Sequence, residues 1–133
     1  MDRVVLDTNV LVSAFTSPSG VPGQIFDMWQ GNKFILVISH YILDELERIL
    51  IKKIGLSEDF VLERTQQFTW LAQLVEPTEV FENLAEENDW PILGTAVAGQ
   101  ADYLVTGDRV LLNLKHYGGT PIVSPKQFLN EKS

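Results

Sequence analysis

Two aspartates combine an ionisable side chain with a position suited to chemistry. Asp7 directly follows the apolar run Arg3-Val4-Val5-Leu6, and Asp108 follows Tyr103-Leu104-Val105-Thr106 across Gly107. Short continuous apolar runs read as strands buried on both faces, and parallel sheets bind ligands beyond the carboxyl ends of their strands. Either Asp alone has an ordinary use as the cap of a following helix. Two converging at one sheet edge repel each other unless a cation separates them. A third acid lies in the stretch 40–51, whose apolar face is Ile42, Leu43, Leu46, Ile49 and Leu50. At ~100° per residue Asp44 points away from that face into solvent, while Glu45 and Glu47 sit at opposite margins. Periodicity does not choose between those two. Asp89 precedes Trp90-Pro91 and suits the N-cap of a helix over 91–99, where Pro is well placed in the first turn. Asp102 stands at the far end of a four-residue strand from Asp108, roughly 13 Å away, so the two share no site.

The elements that must position these acids follow from patterning. Strands are predicted at 3–6, 34–38, 74–75, 103–106 and 121–123. Helices are predicted at 10–15 (capped by Asn9), 22–30, 40–51 (capped by Ser39), 58–73 (capped by Ser57), 91–99, 110–114 and 126–129. Between them the acids Glu76, Glu79, Glu82, Glu86, Glu87 and Asp89 read mostly as a solvated surface stretch. Strands alternating with helices imply parallel βαβ units. The expected fold is a three-layer α/β/α sandwich with a parallel, roughly five-stranded sheet, in one domain over 1–133.

Composition narrows the function classes. The 133 residues are 45% hydrophobic, enough to bury a core, and contain no Cys, which excludes disulfides, thiolate metal sites and cysteine nucleophiles. No apolar run approaches the ~18 residues of a membrane span, and the N-terminus lacks a signal-peptide pattern, so a cytoplasmic protein is expected. Ten Lys+Arg against 18 Asp+Glu give −8, which opposes broad electrostatic attraction to nucleic acid.

At Asp7-Thr8-Asn9-Val10-Leu11-Val12-Ser13-Ala14 the sequence resembles the PIN-domain family, in which a first strand ends in Asp-Thr-Asn and enters a helix. The likeness continues through Val37-Ile38-Ser39-His40-Tyr41-Ile42-Leu43-Asp44-Glu45-Leu46. It is strongest in Asp89-Trp90-Pro91-Ile92-Leu93-Gly94-Thr95-Ala96 and in the stretch from Gly99 to Asp108, and it extends to Pro121-Ile122-Val123-Ser124-Pro125 with Phe128-Leu129. It looks closest to a bacterial group described as toxin components of toxin–antitoxin systems. Carried over residue by residue, the family's acidic quartet falls on Asp7, Glu45, Asp89 and Asp108, with Asn9 and Thr106 as supporting positions. Two residues depart from the pattern: Asn88 where relatives often carry a second acid, and bulky Trp90 after the third.

The resemblance implies a metal-dependent nuclease acting on RNA. Four carboxylates without Cys or nearby His suit the hard cations Mg²⁺ or Mn²⁺ rather than zinc, and such ions activate water and stabilise the leaving oxygen. Cations available to the substrate are Arg48, Lys52 and Lys53, then Arg109, Lys115 and His116. Arg48 could equally pair with Asp44. A toxin role further implies an antitoxin partner and a homodimer. A solo RNA-processing nuclease and a non-catalytic PIN-like module that binds RNA or protein are the alternatives, and the presence of all four acids speaks against the second. A haloacid-dehalogenase-like phosphatase would need an Asp where Asn9 stands. A receiver domain would need a phospho-accepting Asp after a middle strand, and Val37-Ile38-Ser39 supplies none.

Overall fold

The structure, a computed structural model, describes residues 1–78 and 90–132. Strand β1 (Arg3–Leu6) leads into α1 (Thr8–Thr16) and α2 (Val21–Gln30). Then come β2 (Ile35–Ile38), α3 (His40–Arg48), a π turn (Ile49–Lys53), α4 (Glu58–Leu71) and β3 (Gln73–Leu74). Beyond the undescribed segment follow α5 (Trp90–Ala98), β4 (Tyr103–Val105), α6 (Arg109–Leu114), β5 (His116–Tyr117), β6 (Thr120–Val123) and α7 (Pro125–Lys132).

The sheet order is β3-β2-β1-β4-β6-β5. Its first five strands are parallel, as the alternating pattern predicts. The sixth, β5, pairs antiparallel with β6 through a tight turn in which Gly118 and Gly119 take positive φ, a conformation that suits residues without a Cβ. The central strands are continuous apolar runs because helices cover both sheet faces: Val4, Val5, Leu36, Val37, Ile38, Leu104 and Val105 are all buried. On one side Phe15, Phe26, Trp29 and Phe68 pack ring against ring at centroid separations of 5.1–6.3 Å, joining α1, α2 and α4.

Most element ends shift by a few residues from the sequence reading, and the differences at α1 and α3 bear on the site. Helix α1 begins at Thr8, and its cap is Asp7 rather than Asn9, because the Asp7 carboxylate accepts the Thr8 N–H. The stretch 40–51 is not one α-helix. After Arg48 it widens into the π turn, closed by the bond from Ile54 N–H to the Ile49 carbonyl at 3.0 Å. Among the described residues, no helix is long and apolar enough to cross a membrane.

Candidate active site

Chain order decides where a site can form. From β1 the chain runs outward to β2 and β3, then returns to place β4 on the opposite side of β1. The crevice at such a switch point, beyond the strand C-termini, is where parallel sheets bind ligands. The β1–β4 register pairs Leu6 with Val105, so the next residues, Asp7 and Thr106, leave the sheet side by side. The Thr106 hydroxyl donates to Asp7 Oδ2 at 2.6 Å and accepts the Asp108 backbone N–H at 3.0 Å. One buried hydroxyl thus ties both aspartates together. Asp7 Oδ1 accepts Thr8 N–H at 2.7 Å, and Asp108 Oδ1 accepts Val110 N–H at 2.8 Å, so each also caps a helix.

The two marginal glutamates of α3 part company. Glu47 turns toward α4, where it accepts the Thr65 hydroxyl at 2.5 Å. Glu45 turns the other way, with Oε2 3.4 Å from the Tyr41 hydroxyl, and its charge reaches Asp7. Helix α3 is held by Ser39, which caps it through Ile42 N–H at 3.5 Å and is bonded to the Thr95 hydroxyl of α5 at 2.8 Å. Thr95 also donates to the Pro91 carbonyl at 2.6 Å. Sequence reasoning passed over this buried link between the helix that carries Glu45 and the helix that follows Asp89. Its visible signal is a threonine inside the otherwise apolar run Ile92–Ala96. Asp89 and its neighbour Asn88 lie outside the described residues.

Asn9 is exposed on α1 and makes no side-chain hydrogen bond with a described residue. Arg48, Lys52 and Arg109 are also exposed, and no ion pair joins Arg48 to Asp44 among the described residues. Asp102 serves the opposite end of the sheet, where its Oδ2 accepts the Arg3 backbone N–H at 2.8 Å.

Asp7 is only 7% exposed. Burial pushes its carboxyl above the ordinary value of 3.8. The bonds from Thr106 and Thr8 pull it back, while the charges of Asp108 and Glu45 push it further up. Asp108 and Glu45, on two other elements, therefore each repel Asp7 at this edge. Two buried polar atoms have no partner among the described residues: Thr8 Oγ1, beside Asp7, and Trp90 Nε1, at the start of α5. Among the described residues no three acidic or imidazole side chains group closely enough to hold a metal by themselves. Mg²⁺ does not require that, since it commonly takes one or two carboxylates and keeps several waters. The donor set, all hard oxygens under mutual repulsion, fits such an ion.

A sequence model of the PIN domain matches residues 3–110. The chain belongs to the PIN-domain family. PIN domains are generally nucleases and generally use divalent metals. This PIN domain is similar to an uncharacterized protein of Methanocaldococcus jannaschii, 29% identical over 142 residues, covering 97% of this chain and 90% of that one. The fold of this PIN domain is similar to that of a chain in the crystal structure of VapBC2 from Rickettsia felis bound to a DNA fragment from their promoter. That match has a TM-score of 0.62 and 16% identity, and covers 92% of this chain and 98% of the other.

Proposed function

We propose that this PIN domain hydrolyses RNA phosphodiester bonds with Mg²⁺ or Mn²⁺, through Asp7, Glu45, Asp89 and Asp108. The observation that carries the reading is the convergence of Asp7, Glu45 and Asp108 on one sheet edge, where burial raises the Asp7 carboxyl and the charges of the other two add to it. Protein groups arranged to repel in this way are stabilised by a cation. When bound, a divalent ion would supply charge neutralisation at the scissile phosphate and a water of lowered pKa.

The chain's own residues do the rest. Asp7 and Asp108 hold the ion at strand ends, where Thr106 fixes both positions. Glu45 and Asp89 complete the site and orient the attacking water. Asn9 lines the same edge from the first turn of α1. Arg48, Lys52 and Arg109 offer exposed cations to flanking phosphates. The likeness to VapBC2 supports a further element of the proposal, a toxin restrained by an antitoxin protein; to it we add, from the family resemblance alone, a cytoplasmic homodimer.

The test is incubation of purified protein with mixed RNAs and Mg²⁺ or Mn²⁺. Cleavage is expected with the ion, none with chelator, and none for Asp7→Asn. Thr106→Val, which keeps shape but loses the bridging hydroxyl, is expected to lower the rate by ~10–100-fold, with Thr106→Ser restoring much of it. Absence of cleavage under every metal condition, or cleavage that survives Asp7→Asn, overturns the mechanism.

A further inference from the structure

The face of α3 turned away from Glu45 borders a groove of ≈ 540 Å³ between α3, α4 and β3. Leu43 and Leu74 supply apolar walls, Trp70 forms a rim, and Asp44, Glu47 and His40 supply the charged or titratable lining. Trp70 is 87% exposed and the adjacent Leu71 74%. The buried stripe of α4 runs through Val61, Thr65 and Phe68, and Trp70 falls two residues past it, so the core does not use the indole. An apolar surface of this kind, rimmed by polar groups, marks an interaction site.

Charge identifies the class of partner. Among the described residues no Lys or Arg lines the groove. Thr65 pins one oxygen of Glu47 and no other described residue bonds its carboxylate, and Asp44 is exposed without an ion pair among the described residues. Two carboxylates would repel an RNA backbone or an acidic peptide. A purely apolar partner would strip water from them without compensation. An arginine or lysine side chain meets both demands, laying its methylenes on Leu43 and Leu74 while its cation faces the carboxylates and the Trp70 ring. Among the described residues strand β3 ends the sheet and pairs only with β2.

We infer that this groove docks a partner polypeptide through a segment carrying a basic residue flanked by apolar ones. The assignment does not depend on RNA cleavage, since the groove and the acidic edge lie on opposite sides of α3. The test titrates the full chain, at near-physiological salt, into a dye-labelled peptide of alternating leucine and arginine. A leucine–glutamate peptide and an oligouridine are titrated in parallel. Saturable binding of the first probe alone is expected, weakened at least ~10-fold by Trp70→Ala and by Asp44→Lys, with circular dichroism showing that both variants fold. Asp7→Asn is expected to bind as tightly as the wild type, which separates this result from any failure of the nuclease reading. Equal binding by wild type and Trp70→Ala overturns the assignment. So does Trp70-dependent binding of the acidic peptide or the RNA. A wild-type dimer that Trp70→Ala converts to monomer gives the face to a second copy and overturns it as well.

Discussion

The Asp7 side chain caps α1, receives the Thr106 hydroxyl and stands almost out of solvent beside two other acids. These demands conflict, and the conflict has a measurable sign. Burial raises the Asp7 carboxyl above its unfolded value of about 3.8, so folding favours its protonated form. Its contribution to stability is complete below the unfolded value and is lost as pH rises through the raised folded value. Metal-free protein should therefore become less stable, through this group, from about pH 4 toward neutrality. Asp7→Asn removes that loss, because the amide keeps an acceptor for Thr8 N–H and carries no charge. Thermal unfolding with chelator across that pH range should show the variant melting higher than wild type near neutrality and converging with it near pH 4. A variant that melts lower at neutral pH would mean that the ionised carboxylate stabilises the fold. The two strand-end aspartates were legible in the sequence because Asp7 directly follows an apolar run and Asp108 follows another across Gly107. The family resemblance marked Thr106 as a supporting position, but the atoms it joins were not legible, since a hydrogen bond between residues 99 apart in sequence exists only once β1 and β4 are neighbours.

At the scale of elements, patterning recovered the five parallel strands and the helices between them, most clearly the central β1, β2 and β4, whose burial on both faces leaves a continuous apolar signature. It missed what depends on backbone geometry. The cap of α1 is the residue that ends β1, so strand and helix share Asp7 and leave no room for Asn9 in that role. The π turn after Arg48 has no compositional mark, since Ile49, Leu50 and Ile51 continue the apolar face into it. The choice between Glu45 and Glu47 depends on which side α4 packs, a tertiary fact. Small residues, Gly94 and Ala96 among them, stand inside α5, and at Gly94 the packing gives the reason. A Cβ on Gly94 would stand 2.2 Å from the Thr78 carbonyl oxygen, and Thr78 N–H donates to the Gly94 carbonyl at 3.0 Å. Backbone meets backbone there, so no side chain can yield. Gly94→Ala should lower stability by ~1–3 kcal/mol despite the higher helix propensity of alanine. It should also slow cleavage by shifting the helix that follows Asp89. Urea unfolding monitored by circular dichroism measures the first effect, and an unchanged midpoint would show that the 77–78 segment moves aside freely.

The net charge of −8 sets how the whole molecule can meet a polyanion. Three exposed cations, Arg48, Lys52 and Arg109, are proposed to face the substrate, against a sheet edge where Asp7, Glu45 and Asp108 already repel one another. Nucleic-acid affinity falls with salt in proportion to the number of phosphates neutralised, with a slope of about −0.7 per contact on a single strand. Three contacts give a slope of about −2 for log affinity against log salt at fixed Mg²⁺. A protein whose affinity comes from a broad basic surface shows a far steeper dependence. Binding of an RNA blocked against hydrolysis by phosphorothioate linkages would read this slope by fluorescence anisotropy. Arg109→Ala should flatten it to about −1.4, the loss of one contact. Removing the divalent ion should abolish measurable binding, because the phosphate would then face uncompensated carboxylates. A slope near −5 would require cations from elsewhere among the ten Lys and Arg, and would relocate the RNA path away from this edge. Negative charge on the molecule therefore restricts how RNA is recognised: a few phosphates, a required cation, and affinity that changes little with salt.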